Sequence, residues 1–183
     1  MNKKQFLIKI ITLIIFLAQT NLLLAQKKMP PIKYYTVEGY LTHTSQYCGG
    51  IAPSREEESE LHTPKPYYTK LYLRKGTKNS TKKPLIDSAV TDNKGRFEFT
   101  VPAGDYVIIM PYQKDKKILT TLRKMKSKEM RVNDLCLNGW WNGGLFKISV
   151  RDSSIKDMNY NFHNRCFVPY PFPCIDYNGP MPP

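Results

Sequence analysis

The sequence predicts an all-β protein, a seven-stranded antiparallel β-sandwich. Stretches of alternating or dense apolar residues are separated by turn residues along most of the chain. The 12 Tyr, 8 Phe, 14 Pro and 10 Gly among 183 residues favour strands and turns over long helices. The predicted strands are residues 36–42, 70–74, 85–91, 96–101, 106–110, 145–151 and 157–164. Strands of this length and spacing are typical of two packed sheets.

Residues 91–109 carry the clearest local signal, and we interpret them as a β-hairpin. Phe97, Phe99 and Val101 alternate with polar residues, which is the pattern of a half-buried strand. Turn-forming residues stand at both ends of this strand. The residues to which we assign a structural role in the turns are Asp92, Gly95, Pro102, Gly104 and Tyr106.

The order Thr-Asp-x-x-Gly-x-Phe-x-Phe, followed by Gly104 and Tyr106, resembles the signature of carboxypeptidase-regulatory-like and transthyretin-like (prealbumin-like) domains. The resemblance covers about residues 67–111. It implies a prealbumin-like, Ig-like sandwich with one short helix after the central hairpin. Ile118, Leu122 and Met125 provide a narrow apolar stripe for that helix. Domains of this fold serve unrelated functions, so the resemblance implies no activity.

The N-terminus reads as a secretory signal peptide, residues 1–25. Lysines precede an apolar run that ends at the small residue Ala25. The alternative is an uncleaved membrane anchor. We divide the rest into an N-terminal linker (26–35), a sandwich domain (36–165) and a tail rich in Pro and aromatic residues (166–183). The prediction is an exported bacterial protein, periplasmic or at the cell surface, with no stable membrane span after cleavage.

The four cysteines favour disulfides, because an even number in an exported chain is typical of bridged thiols. Three pairings are possible. We favour Cys166 with Cys174, since three prolines stiffen the segment between them, and this leaves Cys48 with Cys136. Zinc is disfavoured because no C-x-x-C pair is present.

The basic charge, formally +13, concentrates in the segment Lys114–Arg131. A basic segment attracts anionic surfaces without sequence specificity, and no nucleic-acid motif accompanies it. The predicted partners are therefore an envelope protein or a glycan, with an anionic surface as a further partner of this segment and no nucleic acid. The alternative interpretation is a solvated cationic face.

Catalysis finds little support in the residues. The three histidines, His43, His62 and His163, are scattered singly. The sequence contains neither a G-x-S-x-G motif nor an H-E-x-x-H motif. We predict no cofactor, no metal and a non-catalytic binding or structural module. The alternative is a metal-dependent enzyme with Tyr and His ligands, as the similar sandwich of intradiol dioxygenases implies.

Trp140 and Trp141 are the candidate ligand-binding residues. They stand between Asn-Gly and Asn-Gly-Gly, and adjacent side chains of an extended chain point to opposite sides. One indole is then free to stack on a sugar ring or to anchor a partner. This pattern adds a carbohydrate-binding module to the alternatives, beside the simpler interpretation that both rings cover a sheet edge.

Overall fold

The structure, a computed structural model, describes residues 31–169 and 171–180. The predicted signal peptide and the start of the linker lie outside the described residues. All described helices and strands belong to one unit, Lys33–Pro183. The strands are β1 (Tyr34–Ser45), β2 (Lys65–Pro66), β3 (Lys70–Lys75), β4 (Leu85–Val90), β5 (Arg96–Pro102), β6 (Gly104–Ile109), β7 (Met130–Val132), β8 (Phe146–Val150), β9 (Tyr160–Asn164) and β10 (Ile175–Tyr177). The helices are α1 (Arg55–His62), α2 (Lys117–Arg123) and α3 (Asp134–Gly143), with a 3₁₀ turn at Pro111–Gln113.

Two four-stranded sheets and one two-stranded ribbon make up the fold. In the first sheet the long strand β1 pairs antiparallel with β2 and β5, and parallel with β9. The second sheet is antiparallel, in the order β4-β3-β6-β8, and the ribbon joins β7 to β10. The protein is therefore mainly β, as predicted. The described residues hold ten strands instead of seven, and the β1–β9 pair departs from a purely antiparallel arrangement.

Each of the seven predicted strands overlaps an observed one, and the three additional strands are very short. Strands β2, β7 and β10 have only two or three residues. A period of two cannot be recognised over so few residues. These pairings form because longer elements bring the short segments together.

The predicted hairpin at 91–109 is wrong as a pairing. Strand β5 pairs with β1, whereas β6 pairs with β3 and β8 in the other sheet. The turn at Pro102–Gly104 is a corner between sheets, where the Tyr106 hydroxyl donates to the Pro102 carbonyl over 2.8 Å. Alternation identifies a strand and its buried face, but it does not identify the neighbouring strand.

The sandwich core lies between the two sheets. Its buried side chains come from both: Val37, Leu41, Phe97, Phe99, Val101 and Phe162 from the first sheet, and Leu71, Leu73, Tyr106, Ile108, Ile148 and Val150 from the second. A second, smaller core, here called the clasp core, lies among the helices and the tail. It consists of Leu119, Leu122, Leu137, Trp141, Cys174 and Ile175.

Three helices are present in the described residues where one was predicted. Helix α1, which has three glutamates in its first turn, begins with a capping box between Ser54 and Glu57 and buries none of its residues. Helix α2 is the predicted helix. Leu122 of the expected stripe is buried, Ile118 and Met125 are partly buried against the same core, and Leu119 is buried in addition. Asn133 caps α3 by accepting from the amide of Cys136. None of the described helices has the length and apolar character needed to cross a membrane.

The cysteines form two disulfides, but the predicted pairing is wrong. The bridges are Cys48–Cys166 and Cys136–Cys174, with Cα atoms 5.5 and 5.6 Å apart. The parallel pairing of β1 with β9 explains the first bridge, because Cys48 and Cys166 follow the same ends of the two strands. The prolines between Cys166 and Cys174 restrict the conformations of the unfolded chain, which is the basis of the predicted local bridge. In the folded protein, the pairing of the strands determines which cysteines are neighbours.

The described part of the tail packs against the rest of the protein and is held at two points. Cys166 ties its start to the loop after β1, and Cys174 ties its second half to α3. Ile175 lies opposite Val132 in the β7–β10 ribbon, and the amide of Asn133 donates to the carbonyl of Cys174. The tail is thus part of the packed structure instead of a loop closed by its own disulfide.

Candidate functional site

The segment with Trp140 and Trp141 is helical, so the expected extended geometry is wrong. Both indoles lie near the end of α3, and the side chain of Trp141 is only 1% exposed. Trp141 is buried in the clasp core and Trp140 is partly buried against it. The role of the two tryptophans in ligand binding stays a prediction.

Trp140 belongs to a cluster of aromatic rings that joins α3 to the tail. Its ring stacks on Tyr112 at a centroid distance of 5.7 Å and meets Phe172 edge-on at 5.7 Å. Tyr112 and Phe172 also meet edge-on, at 5.2 Å. Such offset and edge contacts are the favoured geometries for aromatic pairs. The cluster fixes the prolyl segment of the tail opposite strand β9.

Between β9 and the tail lies a groove with a cavity of about 220 Å³, here called the tail groove. Its lining combines aromatic and polar side chains: Tyr160, Phe162 and Phe172, with Asn161, His163 and Arg165. A smaller cavity of about 50 Å³ shares Tyr160 and Phe162 and reaches Trp140. Apolar surface with a few polar groups is the usual composition of a small-ligand site.

Tyr160 presents the most accessible ring of the tail groove. It is 40% exposed and meets Phe162 at 4.7 Å and Phe146 at 6.2 Å, both edge-on. These contacts hold one edge of the ring against the sheet. A planar ligand or a sugar ring can therefore meet a side chain that is already ordered, which lowers the entropic cost of binding.

Arg165 supports the wall of the groove. Its guanidinium forms an ion pair with Asp176 at 2.9 Å and donates to the carbonyl of Ile175 at 2.6 Å. A second cavity, of about 330 Å³, lies on the other side of this arginine and is also lined by Tyr47 and Tyr177. Arg165 thus connects β9 to the tail and separates two openings in the surface.

The residues assigned to turns lie away from the tail groove, at the loops where the chain crosses between the sheets. Asp92 accepts from the amides of Lys94 and Arg96, and these hydrogen bonds lower the pKa of its carboxyl. Gly95 has a φ of 79°. Burial raises the pKa of the Tyr106 hydroxyl. These features stabilise the architecture and present no reactive group.

The histidines lie on separate elements. His43 is on β1, His62 ends α1, and His163 lies on β9 with its Nδ1 atom 3.1 Å from the Thr44 hydroxyl. Within residues 31–169 and 171–180, no group of three or more His, Cys, Asp or Glu side chains is close enough to hold a metal ion.

The sequence pattern does not predict the groove residues Tyr160, Arg165 and Phe172. Tyr160 lies in a predicted strand and Phe172 in the proline-rich tail, but no pattern links the two segments. The signal that was present is the concentration of aromatic residues and prolines around Cys166 and Cys174, which indicates a segment that packs. Its packing partner follows only from the disulfides and the β1–β9 pairing.

Comparison with known proteins gives low similarity. No family model and no curated protein match the chain. Among solved structures, the Bacillus anthracis TIE protein aligns with 72% of this chain and 17% of its own at 10% identity and a TM-score of 0.33. The shaft pilin SpaA from Lactobacillus rhamnosus GG aligns with 73% of this chain over 49% of its own length, at 10% identity and a TM-score of 0.32. The chain spans under half of either structure, and the function proposed below rests on its own residues.

Proposed function

We propose that this chain is a non-catalytic, exported prealbumin-like module of the bacterial envelope that binds its ligand in the tail groove. The two disulfides point to export, since such bridges persist in oxidising compartments. The proposed location is the periplasm or the cell surface. The single observation that carries the binding role is the tail groove, with its ordered aromatic rings and polar rim.

The ligand class that this lining favours is carbohydrate. Sugar rings have apolar faces that pack on aromatic side chains, and their hydroxyls need hydrogen-bonding partners at the rim. Tyr160 offers the ring, and Asn161 and His163 offer polar groups on the same strand. An envelope glycan therefore fits this mixed aromatic and polar lining better than a purely apolar ligand does.

Calorimetric titration of the mature protein with soluble peptidoglycan fragments tests this function. Tyr160→Ala should weaken binding about 3- to 10-fold, as expected for the loss of one aromatic contact. Tyr34→Ala is the matched control, because Tyr34 is an exposed tyrosine of β1 outside the groove. Equal affinity of the Tyr160→Ala variant and the unaltered protein would reject the groove as the site.

Export itself has a separate test. We expect the mature chain to begin at Gln26, after removal of residues 1–25. Intact-mass measurement of the protein isolated from the envelope distinguishes the cleaved chain from a retained anchor. A mass that includes Met1 to Ala25 would contradict cleavage.

A further inference from the structure

Half of the outer face of the second sheet is covered and half is bare. At β6, the outward side chains of Val107 and Ile109 pack under the end of α3, where a Cβ on Gly144 would lie 2.4 Å from Val107 Cγ1 and 3.1 Å from Ile109 Cγ2. Tyr72 of β3 lies opposite Ile109 and therefore shares this face. Beyond Tyr72, strand β4 forms the edge of the sheet, and its residues are almost all exposed.

Strand β4 is unusually exposed for its composition. Five of its six residues are exposed, including Ile86 at 42% and Val90 at 50%. Val90 pairs with Lys70 and Ser88 with Tyr72, so Val90 lies on the bare side of the sheet beside the tyrosine. Ile86 is two residues before Ser88 on β4 and so lies on the same side of the sheet, at the point where the β3–β4 register shifts. The bare strip therefore carries the partly buried ring of Tyr72 and two exposed aliphatic side chains.

Lysines surround this strip. The ammonium groups of Lys70 and Lys114 lie 5.4 and 4.3 Å from the centroid of the Tyr72 ring. Lys82 and Lys83 are exposed and are separated from β4 only by Pro84. Within the described part of the chain, none of these four lysines forms an ion pair. The only carboxylate of β4, Asp87, accepts from the amide of Ser88.

A buried arginine holds two of the lysine-bearing segments together. Arg74, only 4% exposed, donates to the carbonyls of Ser80 and Lys83 in the β3–β4 loop and to that of Lys114 after β6. Asn79 of the same loop donates to the carbonyl of Gln113. Segments about thirty residues apart in the chain are thus fixed side by side, and their positive charges are concentrated at one edge of the strip.

We infer that the strip of Tyr72, Ile86 and Val90, with its rim of Lys70, Lys82, Lys83 and Lys114, docks on the surface of a bilayer that contains anionic phospholipids. Aliphatic and aromatic side chains enter the interface, while the ammonium groups contact the phosphates. A second copy of this chain is disfavoured as the occupant, because it would bring two unpaired lysine rims together. A soluble anionic polymer would use the lysines but would not need the apolar strip.

Co-sedimentation of the mature protein with vesicles tests the inference. The protein should bind vesicles that contain a mixture of phosphatidylglycerol and phosphatidylcholine, and it should not bind vesicles of phosphatidylcholine alone. Lys82→Ala with Lys83→Ala should weaken partition about 10- to 30-fold, from roughly 1 kcal/mol per lysine at a charged surface. The matched control is Lys126→Ala with Lys128→Ala, which removes two exposed lysines from the other end of the basic segment. An equal loss in this control would overturn the assignment to the β4 rim.

The apolar contribution needs its own pair of variants. Ile86→Ser with Val90→Ser should also weaken vesicle binding several-fold, whereas Ile51→Ser with Leu135→Ser, at side chains 83% and 85% exposed elsewhere, should not. Circular dichroism must show the same fold in all variants. Unchanged vesicle binding after Ile86→Ser with Val90→Ser would overturn the assignment of a bilayer as the occupant and would favour an anionic polymer.

Sedimentation velocity tests for a second copy. If the protein self-associates and these two serines abolish the association, the assignment of a bilayer is overturned in favour of a second copy. Binding of glycans in the tail groove is unaffected by either result.

Discussion

The sandwich core and the clasp core are built by different means. The sandwich core collects large side chains from long strands of both sheets, so burial of apolar surface alone supplies much of its stability. The clasp core has six buried members. Five come from two short helices and a three-residue strand, and the sixth, Cys174, directly precedes that strand. Small cores need covalent closure because they bury too little surface to offset chain entropy. The comparison indicates that the tail groove depends on the disulfides more than the sheets do.

The largest expected effect is in the sandwich core. Phe97→Ala should reduce the free energy of unfolding by about 3–5 kcal/mol, because the buried ring packs on Phe99 and Phe146 and its loss leaves a cavity. Urea denaturation measures the change. Tyr34→Ala, at an exposed position on the neighbouring strand, should stay within about 0.5 kcal/mol of the unaltered protein. Similar losses for the two variants would contradict the assignment of the core.

The next effect concerns the clasp core. Replacing Cys136 and Cys174 by Ala should cost about 2–4 kcal/mol on the loop-entropy account of cross-links. Hydrogen exchange should show faster exchange in α3 and β10, while β5 and β6 keep their protection. Equal loss of protection in β5 and β10 would show that the two cores unfold as one unit.

A smaller effect is expected at the turn before β5. Gly95→Val should cost about 1–3 kcal/mol, because the φ of 79° is unfavourable for a β-branched residue and the new Cβ would lie 2.2 Å from the Leu41 carbonyl oxygen. Lys94→Ala is the control, since Lys94 is exposed. Melting temperatures compare the two variants. Identical values would show that the turn tolerates a side chain at position 95.

The smallest expected effect is a loss of stability of the sandwich at acidic pH. Hydrogen bonds from the backbone lower the pKa of Asp92 below its ordinary value of 3.8 in the folded state. The folded protein therefore holds this proton less tightly than the unfolded chain does, and the contribution to stability is present above about pH 4 and lost as the pH falls below it. Denaturation midpoints between pH 6 and pH 2 measure the loss. Asp92→Asn should flatten this dependence, and an unchanged curve would contradict it.

The sequence by itself determined the features that depend on neighbouring residues. Alternation at Phe97, Phe99 and Val101 identified strand β5 and its buried face, and Asp92 and Gly95 marked the turn before it. An even number of cysteines was enough to predict disulfides. Each of these inferences rests on local sterics or on composition. These properties do not depend on where the rest of the chain lies.

Only the tertiary structure decided which segments are neighbours. Strand β5 pairs with β1 and not with β6, and the parallel β1–β9 pair places Cys48 beside Cys166, at a sequence separation of 118 residues. The tail groove and the bare strip on β4 follow from these pairings, since each joins segments with no common local pattern. Contacts of this kind depend on the total apolar surface that is buried in both cores. Segments far apart in the sequence contribute to that surface, so no single stretch of sequence specifies it.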